Sequence, residues 1–275
     1  MSILFTMPSK IITLTTDFGF KDPYSAEMKA TILSICPNAV IVDITHEITK
    51  FNIRMGAFVL ASAAPYFPEG TVHVAVVDPS VGTQRRPILI QTKRSFFVGP
   101  DNGLLVLAAE KQGIVRIHEL ANPRFMLPKV SDTFHGRDVF APAAANLANG
   151  KKPSAFGPEV REATKIEFAK VTGGKGGLVG EVVYVDGFGN IITNIKEKEV
   201  VQTIVKGTVS LKLAGYKLKL KFCKAYGEIK PQEPLASIGS HGFLEIALNQ
   251  GNAAAKYKTK AGDRVTITSD LHVEK

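Results

Sequence analysis

Two aspartates that follow predicted strands are the residues best placed to do chemistry in this sequence. Asp17 comes directly after the apolar run 11–16, and Asp78 ends the run 72–78. A glycine follows each within a few residues, which lets the chain turn sharply and brings backbone close to a ligand. Ligands of open α/β sheets bind beyond the carboxyl ends of the strands, so both carboxylates are candidate site residues. Because aspartate also favours turns, a purely structural role for either stays open.

An arginine pair and a histidine could complete such a site. Arg85 and Arg86 lie in the loop after Asp78. A guanidinium folded back over that carboxylate would keep it ionised and offer a fixed fork to an anion or an oxygen nucleophile. His135 precedes a predicted helix, and an imidazole can transfer a proton near neutral pH. A solvated basic loop and an exposed histidine are the alternatives. The other histidines show no metal-ligand spacing with carboxylates, so no metal site is predicted.

Two motifs in the second half of the chain could bind a small molecule. Asn190 ends the turn VDGFGN and carries both a donor and an acceptor, so it could recognise a heterocycle or an amino acid. The stretch SIGSHGFLEIALNQGN, residues 237–252, is either a strand with glycines at its ends or a loop that lines a pocket. Each motif could equally be a turn that binds nothing.

The elements that must position these residues divide the chain in two. Residues 1–172 alternate apolar runs, typical of strands buried on both faces, with segments of helical spacing. This order predicts an α/β domain with a mostly parallel sheet and helices on both faces. The strands are predicted at 11–16, 40–44, 72–78, 88–91 and 96–98, and the helices at 24–36, 53–64, 104–110 and 138–148.

Helical periodicity nearly disappears after the glycine cluster TGGKGG. The cluster lacks a phosphate-loop pattern and is interpreted as a flexible linker over 173–177. Strict alternation in TVSLKL and KLKLKF indicates strands with one wet face and one buried face. Residues 178–275 are therefore predicted to form a smaller, antiparallel and barrel-like β domain. Its strands are predicted at 178–185, 191–195, 208–213, 217–222, 243–248 and 264–268.

The composition excludes several classes of protein. With 45% hydrophobic and 21% charged residues among 275, the chain lies in the globular range. Its two distant cysteines exclude a disulfide scaffold or a zinc finger. No run reaches the roughly 20 apolar residues of a spanning helix and no signal peptide is evident, so a cytoplasmic location without membrane association is expected. The net charge of +9 is shared by both halves, which favours a solvated lysine-rich surface over nucleic-acid binding.

Six motifs taken together resemble the S-adenosyl-L-methionine hydroxide adenosyltransferase family, the hydrolytic relatives of the fluorinases and chlorinases. In chain order, from residue 13 to about 254, they are TLTTDFG, VAVVDPSVGT followed by RR, FVGPDNG, FHGRDVFAPAAA, DGFGNIITNI and GSHGFLEIALNQGNAA. The resemblance implies that a water-derived hydroxide attacks C5′ of the ribose of S-adenosyl-L-methionine. The products would be adenosine and L-methionine, and the reaction would need no cofactor.

The resemblance also implies roles for individual residues. The catalytic set of the family falls on Asp78, Arg85 and His135, where Arg85 would stabilise hydroxide while the other two orient water and accept its proton. Asp17 matches the carboxylate that accepts both ribose hydroxyls. The other residues that match substrate contacts of the family are Tyr24, Asn190, Ser240, Glu245 and the backbone at Leu248.

The resemblance further implies a homotrimer, because family members bind substrate between the first domain of one subunit and the second domain of its neighbour. Three alternatives stay open. A halogenase of the same family would use chloride or fluoride in a dry pocket. A non-catalytic sensor would retain S-adenosyl-L-methionine or adenosine without product, and a basic RNA-associated module would show steep salt dependence.

Overall fold

The computed structural model describes residues 9–168, 170–174 and 177–268. The chain divides into two units, Met1–Ile166 and Glu167–Lys275. The division falls shortly before residue 172, where the sequence analysis ends the first domain. Among the described residues, no helix combines the length and the apolar character needed to cross a membrane.

The described residues of the first unit form a seven-stranded sheet. In chain order its strands are β1 Ile11–Thr16, β2 Val40–Thr45, β3 Val72–Val76, β4 Pro87–Thr92, β5 Phe96–Pro100, β6 Ile114–Glu119 and β7 Glu159–Val160. Their spatial order is β2-β1-β3-β5-β4-β6-β7, in which β2, β1, β3 and β5 run parallel and the later pairings are antiparallel. The parallel strands place the connections that follow β1, β2, β3 and β5 at one edge of the sheet.

Helices cover both faces of this sheet. They are α1 Tyr24–Ile35, α2 Ile53–Ala63, α3 Val106–Lys111 and α4 Ala141–Ala148. Helices α1 and α4 pack together over the face that carries the buried side chains of Leu14, Val74 and Val98. Helix α2 packs on α3, and a Cβ atom at Gly56 of α2 would lie 2.7 Å from Leu104 Cδ1. A larger residue here would therefore displace the Leu104 side chain.

A histidine is part of the core of this sheet. His73 in β3 is fully buried, its Nδ1 lies 2.8 Å from Thr13 Oγ1, and its ring stacks on Phe97 with 4.9 Å between centroids. Burial lowers the pKa of His73 to about 3, because the apolar surroundings disfavour the charged imidazolium. The imidazole is therefore neutral in the folded protein at physiological pH.

The described strands of the second unit form a closed barrel with one extra strand. In chain order they are β8 Thr172–Gly174, β9 Gly177–Val185, β10 Ile191–Lys196, β11 Thr208–Leu213, β12 Tyr216–Phe222, β13 Pro234–Ile238, β14 Phe243–Leu248 and β15 Arg264–Thr268, and the short helices are α5 Glu197–Val200 and α6 Ala253–Tyr257. The sheet order is β10-β14-β13-β12-β11-β15-β9-β8, and a pairing of β10 with β9 closes the barrel. All pairings are antiparallel except that of β12 with β13.

The predicted fold class is confirmed, with local differences. Strands β6, β7 and β13 and the short helices α5 and α6 were not predicted. The helix predicted at 138–148 starts as a π-helical turn, Gly136–Phe140, ahead of α4. The described part of the predicted linker, residues 173, 174 and 177, lies in the paired strands β8 and β9, and residues 175 and 176 lie outside the described residues.

Candidate active site

The side chains of the three predicted catalytic residues are in direct contact. Arg85 Nε donates to both carboxylate oxygens of Asp78 at 3.0 Å, and Arg85 Nη2 donates to Asp78 Oδ2. The same Nη2 lies 3.0 Å from His135 Nδ1. The side chains of Asp78 and Arg85 are only 5% and 8% exposed. A buried, charge-assisted pair of this kind is rigid, and it holds the imidazole at its edge.

The contact with Arg85 defines the protonation of His135. A guanidinium can only donate, so Nδ1 of His135 accepts and the neutral ring carries its proton on Nε2. Burial and the positive charge of Arg85 lower the pKa of His135, against the raising effect of Asp78, Asp138 and Asp132. Arg85 Nη1 is buried and has no hydrogen-bond partner in the described part of the chain. One donor of the cluster is thus unsatisfied within the described residues.

Local structure of two segments brings this cluster together. Asp78 follows β3 in the loop to β4, and Gly82 in that loop has a φ of +75°. A Cβ atom at Gly82 would lie 2.1 Å from the carbonyl oxygen of Asp132, so only glycine lets the loop approach this segment so closely. The segment continues to His135, which caps the π-helical turn. Turns of this type are common at functional sites.

Asp17 is held at the end of β1 by the segment that follows β2. Its side chain is buried, and its Oδ2 accepts the backbone N–H of Phe51 at 2.9 Å. Lys50 Nζ donates to the carbonyl oxygen of Asp17. Phe51 has a φ of 64°, in the left-handed region that is unfavourable for a residue with a side chain. In this conformation the Phe51 N–H points at the Asp17 carboxylate.

A cavity of about 230 Å³ in the first unit is lined by most of the predicted site residues of that unit. Its lining includes Asp17, Tyr24, Asp78 and His135, all of them predicted site residues. Phe134 completes an aromatic wall, with its ring centroid 5.2 Å from that of Tyr24 in an edge-to-face arrangement. Pockets for ligands of drug size typically hold about 300–1,000 Å³, so this cavity is smaller than a typical ligand pocket.

A second cavity, of about 610 Å³, lies in the second unit and contains two predicted residues, Asn190 and Leu248. Asp186 holds the turn before β10, because its carboxylate accepts the backbone N–H groups of Phe188 and Asn190 at 2.9 and 2.8 Å and Asn190 Nδ2 at 2.9 Å. Phe188 also lines this cavity and is 80% exposed. The turn therefore presents an amide and an aromatic ring from one fixed backbone.

Glu245 is buried beside the second cavity and accepts a hydrogen bond of 2.5 Å from the hydroxyl of Tyr226, which lines it. Burial raises the pKa of Glu245, and burial together with the neighbouring carboxylate raises that of Tyr226. Ser240, in contrast, is exposed in the turn between β13 and β14 and is not among the described residues that line the cavity. The structure therefore groups three of the four predicted residues of this unit.

Several residues of the two cavities escaped the sequence analysis. Lys50 and Phe51 follow β2, so the strand-end rule that identified Asp17 also applies to them. Tyr226 lies in the connection between β12 and β13, where no periodic signal marks it. Within the described residues, no group of three or more His, Cys, Asp or Glu side chains could hold a metal ion.

Comparison with protein-family models gives two matches that agree with this division. Residues 12–157 match the SAM hydroxide adenosyltransferase N-terminal domain, and residues 180–266 match the SAM hydroxide adenosyltransferase C-terminal domain. Both cavities lie on residues that these matches cover.

Several proteins of known name are similar over nearly their whole length. An (R)-S-adenosyl-L-methionine hydrolase of Methanocaldococcus jannaschii is 43% identical over 94% of this chain and 95% of that protein. One of Thermus thermophilus is 38% identical over 92% of this chain and 97% of that protein. A fluorinase of an Actinoplanes species is more distant, at 29% identity over 94% of this chain and 97% of that protein.

A solved structure extends the comparison to the fold. The crystal structure of an uncharacterized conserved protein from Thermotoga maritima matches with a TM-score of 0.89 and 38% identity, over 94% of this chain and 99% of that one. The similarity therefore includes both units.

Proposed function

Because this chain belongs to the S-adenosyl-L-methionine hydroxide adenosyltransferase family, we propose that it hydrolyses S-adenosyl-L-methionine to adenosine and L-methionine. The observation that carries the proposal is the contact of Asp78, Arg85 and His135 beside the cavity that Asp17 also lines. These groups can bind one water molecule and orient it, which is the task that hydrolysis of a sulfonium requires.

The main requirement of this hydrolysis is a water molecule that is positioned to attack C5′. Oxygen of a water molecule bonds to C5′ of the ribose, and the C5′–S bond breaks with its electron pair going to sulfur. The sulfonium leaves as the neutral thioether of methionine, so no leaving-group proton is needed. Holding the two reactants in line can supply about 7–11 kcal/mol of the barrier reduction. We assign most of the catalysis to this positioning.

From the contacts around Arg85, we assign each of the three residues its own role in the activation of water. Nη1 of Arg85 is the donor that would hold the attacking oxygen, because it lacks another partner among the described residues. His135 carries its proton on Nε2 and would orient the water by donating to it. Asp78 is then the group that accepts the water proton and passes it to solvent. Transition-state charge on the oxygen is stabilised by a donor that needs no reorganisation.

Substrate binding is divided between the two cavities. Asp17 would accept the two ribose hydroxyls with its two carboxylate oxygens, with Tyr24 nearby on the aromatic wall. Asn190, Glu245 and Leu248, together with Ser240, would contact the remaining parts of the substrate. The family resemblance implies a homotrimer in which neighbouring subunits share each active site, and this arrangement would explain why candidate residues line cavities of both units. Sedimentation velocity tests this state, and a monomer that turns over fully would contradict it.

The activity is tested by incubating the purified protein with S-adenosyl-L-methionine in halide-free buffer made with oxygen-18 water. Adenosine that carries the label at C5′, together with methionine, is the expected result by liquid chromatography and mass spectrometry. A parallel incubation with chloride separates the halogenase alternative, which would give a chlorinated nucleoside. Intact substrate in both would instead indicate a sensor. The cytoplasmic location and the lack of nucleic-acid binding stay predictions.

A further inference from the structure

Two consecutive residues that the mechanism does not use hold the loop carrying Asp78 and Arg85. This loop, residues 77–86, joins β3 to β4, and β5 lies between those two strands in the sheet. Strand β5 runs parallel to β3 and antiparallel to β4, so the loop must pass the carboxyl end of β5. Asp101 and Asn102 are the first two residues after β5, in the motif FVGPDNG.

Asn102 holds the end of the loop from which Asp78 leaves the sheet. Its Nδ2 donates to the carbonyl oxygen of Val77 at 2.9 Å, and its Oδ1 accepts the backbone N–H of Leu104 at 3.2 Å. Val77 directly precedes Asp78, so this bond fixes the peptide that aims the carboxylate. Only a side chain with both a donor and an acceptor can make the two bonds at once.

Asp101 holds the opposite end of the loop. Its carboxylate, 3% exposed, accepts hydrogen bonds from Arg86 Nε at 3.0 Å and Nη2 at 2.5 Å, while its own backbone N–H donates to the Arg86 carbonyl oxygen at 2.9 Å. The N–H of Thr164 adds a bond of 2.7 Å to Asp101 Oδ1. Arg86 directly follows Arg85, so these bonds fix the backbone from which the catalytic guanidinium extends.

We propose that Asp101 and Asn102 are positioning residues that hold the two ends of loop 77–86 and so set the contact between Asp78 and Arg85. Neither residue lines the first cavity, as far as the described chain shows. The kinetic consequence rests on the proposed function, whereas the geometric consequence does not. A displacement of about 1 Å at a reacting group can cost on the order of 100-fold in rate. The two residues therefore control turnover without touching substrate.

The variant Asn102→Asp tests the Val77 end of the loop. Aspartate keeps an acceptor for the Leu104 N–H but cannot donate to the Val77 carbonyl. We expect kcat to fall about 10- to 100-fold while KM changes less than about threefold, because Asp17 lies on a different strand.

Asn122→Asp is the matched control, since the Asn122 side chain also donates to one backbone carbonyl and accepts one backbone N–H, at a place away from the loop. Its Nδ2 donates to the Ala155 carbonyl at 2.8 Å and its Oδ1 accepts the Arg124 N–H at 3.1 Å. A general loss of stability lowers the melting temperature of both variants, whereas lost positioning lowers kcat only in Asn102→Asp.

A second measurement does not depend on turnover. The charged groups that act on His135 are Arg85 and Asp78 from the loop, and Asp132 and Asp138 from its own segment. Arg85 has the largest effect of the four and lowers the pKa of His135, so a loosened loop should raise it. Titration of the imidazole proton resonances in Asn102→Asp and in the charge-conserving variant Arg86→Lys, with the His135→Gln variant to assign the signal, measures this shift. A rise in Arg86→Lys cannot come from the carboxylate that Asn102→Asp adds.

The Arg86→Lys variant tests the Asp101 end at a side chain that is 38% exposed, and it provides the measurement if Asn102→Asp does not fold. Lysine keeps the charge and loses the paired bonds, so we expect a smaller fall in kcat and a rise in the His135 pKa. Wild-type kcat and an unchanged His135 pKa in both folded variants would overturn the proposal. If the wild type itself does not hydrolyse S-adenosyl-L-methionine, the proposed function fails, and the His135 titration alone decides on the positioning role.

Discussion

Arg85 binds both carboxylate oxygens of Asp78, and the two residues lie near the opposite ends of one short loop. Because both side chains are almost fully buried, removal of either charge leaves the other without compensation. A substitution at either residue is therefore read together with the melting temperature of the variant.

Asp78→Asn should abolish most of the turnover and leave nucleoside binding in place. The amide cannot accept the water proton, and general-base catalysis typically contributes about 100- to 10,000-fold. We expect a fall in kcat of that order, measured by adenosine release, with the dissociation constant for adenosine changed by less than about threefold by calorimetry. Glu110→Gln, which removes an exposed ion pair with Lys165, is the control with unchanged kcat. Loss of adenosine binding in Asp78→Asn would mean that Asp78 binds the substrate rather than activating water.

Asp17→Asn should weaken binding of the ribose. The amide keeps one acceptor for the Phe51 N–H but loses the charge that two hydroxyls would share. Hydrogen bonds to charged groups contribute about 1.5–3 kcal/mol, so the dissociation constant for adenosine should rise about 10- to 100-fold. Calorimetry with 2′,3′-dideoxyadenosine provides the control, because that ligand should bind wild type and variant alike. Equal losses for both nucleosides would show that Asp17 does not recognise the diol.

Tyr226→Phe should destabilise the barrel in a pH-dependent manner. The hydrogen bond from the Tyr226 hydroxyl favours the ionised form of Glu245, whose pKa burial already raises. Without that donor the buried carboxylate is unsatisfied when ionised, a cost of about 1–3 kcal/mol. Urea unfolding should show the larger loss at pH 8 and a smaller one at pH 5, where Glu245 is protonated to a greater extent. Tyr216→Phe, at a 40%-exposed tyrosine of the same barrel, is the control, and a loss of equal size at both pH values would contradict the assigned ionisation.

His73 should make the fold sensitive to acid. Its pKa of about 3 lies below the usual value of 6.5, so the unfolded chain binds the proton first as the pH falls. The stability of the native state is therefore full above about pH 6.5 and decreases below it, by about 1.4 kcal/mol per pH unit from this group.

Urea unfolding between pH 7 and 5 measures this effect in wild type against His73→Asn, which retains a polar atom near Thr13. The variant should lose less stability over this range than wild type. His241→Asn, at an exposed histidine, should retain the wild-type slope. Identical slopes for all three proteins would mean that His73 is protonated as easily in the folded state as in the unfolded one.

Much of the fold follows from local patterns in the sequence. Runs such as 11–16 and 72–76 have no strict alternation because their strands are buried on both faces, and TVSLKL alternates because only one face of its strand is buried. These patterns predict the strand ends, and with them the positions of Asp17 and Asp78. Strand β13, PLASI, was missed because a proline, an alanine and a serine dilute its signal, and its pairing with β14 stabilises it instead.

The sequence by itself thus determined the two kinds of domain, the edge of the sheet that carries Asp17 and Asp78, and, through family resemblance, most of the candidate residues. Only the tertiary structure decided which side chains meet. Arg85 contacts His135, which is 50 positions away in the sequence. Tyr226, in the connection between β12 and β13, donates to Glu245 of β14, and Asn102 donates to the carbonyl of Val77. The physical reason is that periodicity reports which face of an element is buried, whereas hydrogen bonds between distant residues depend on strand order, register and loop path. Those are set by the packing of the whole unit.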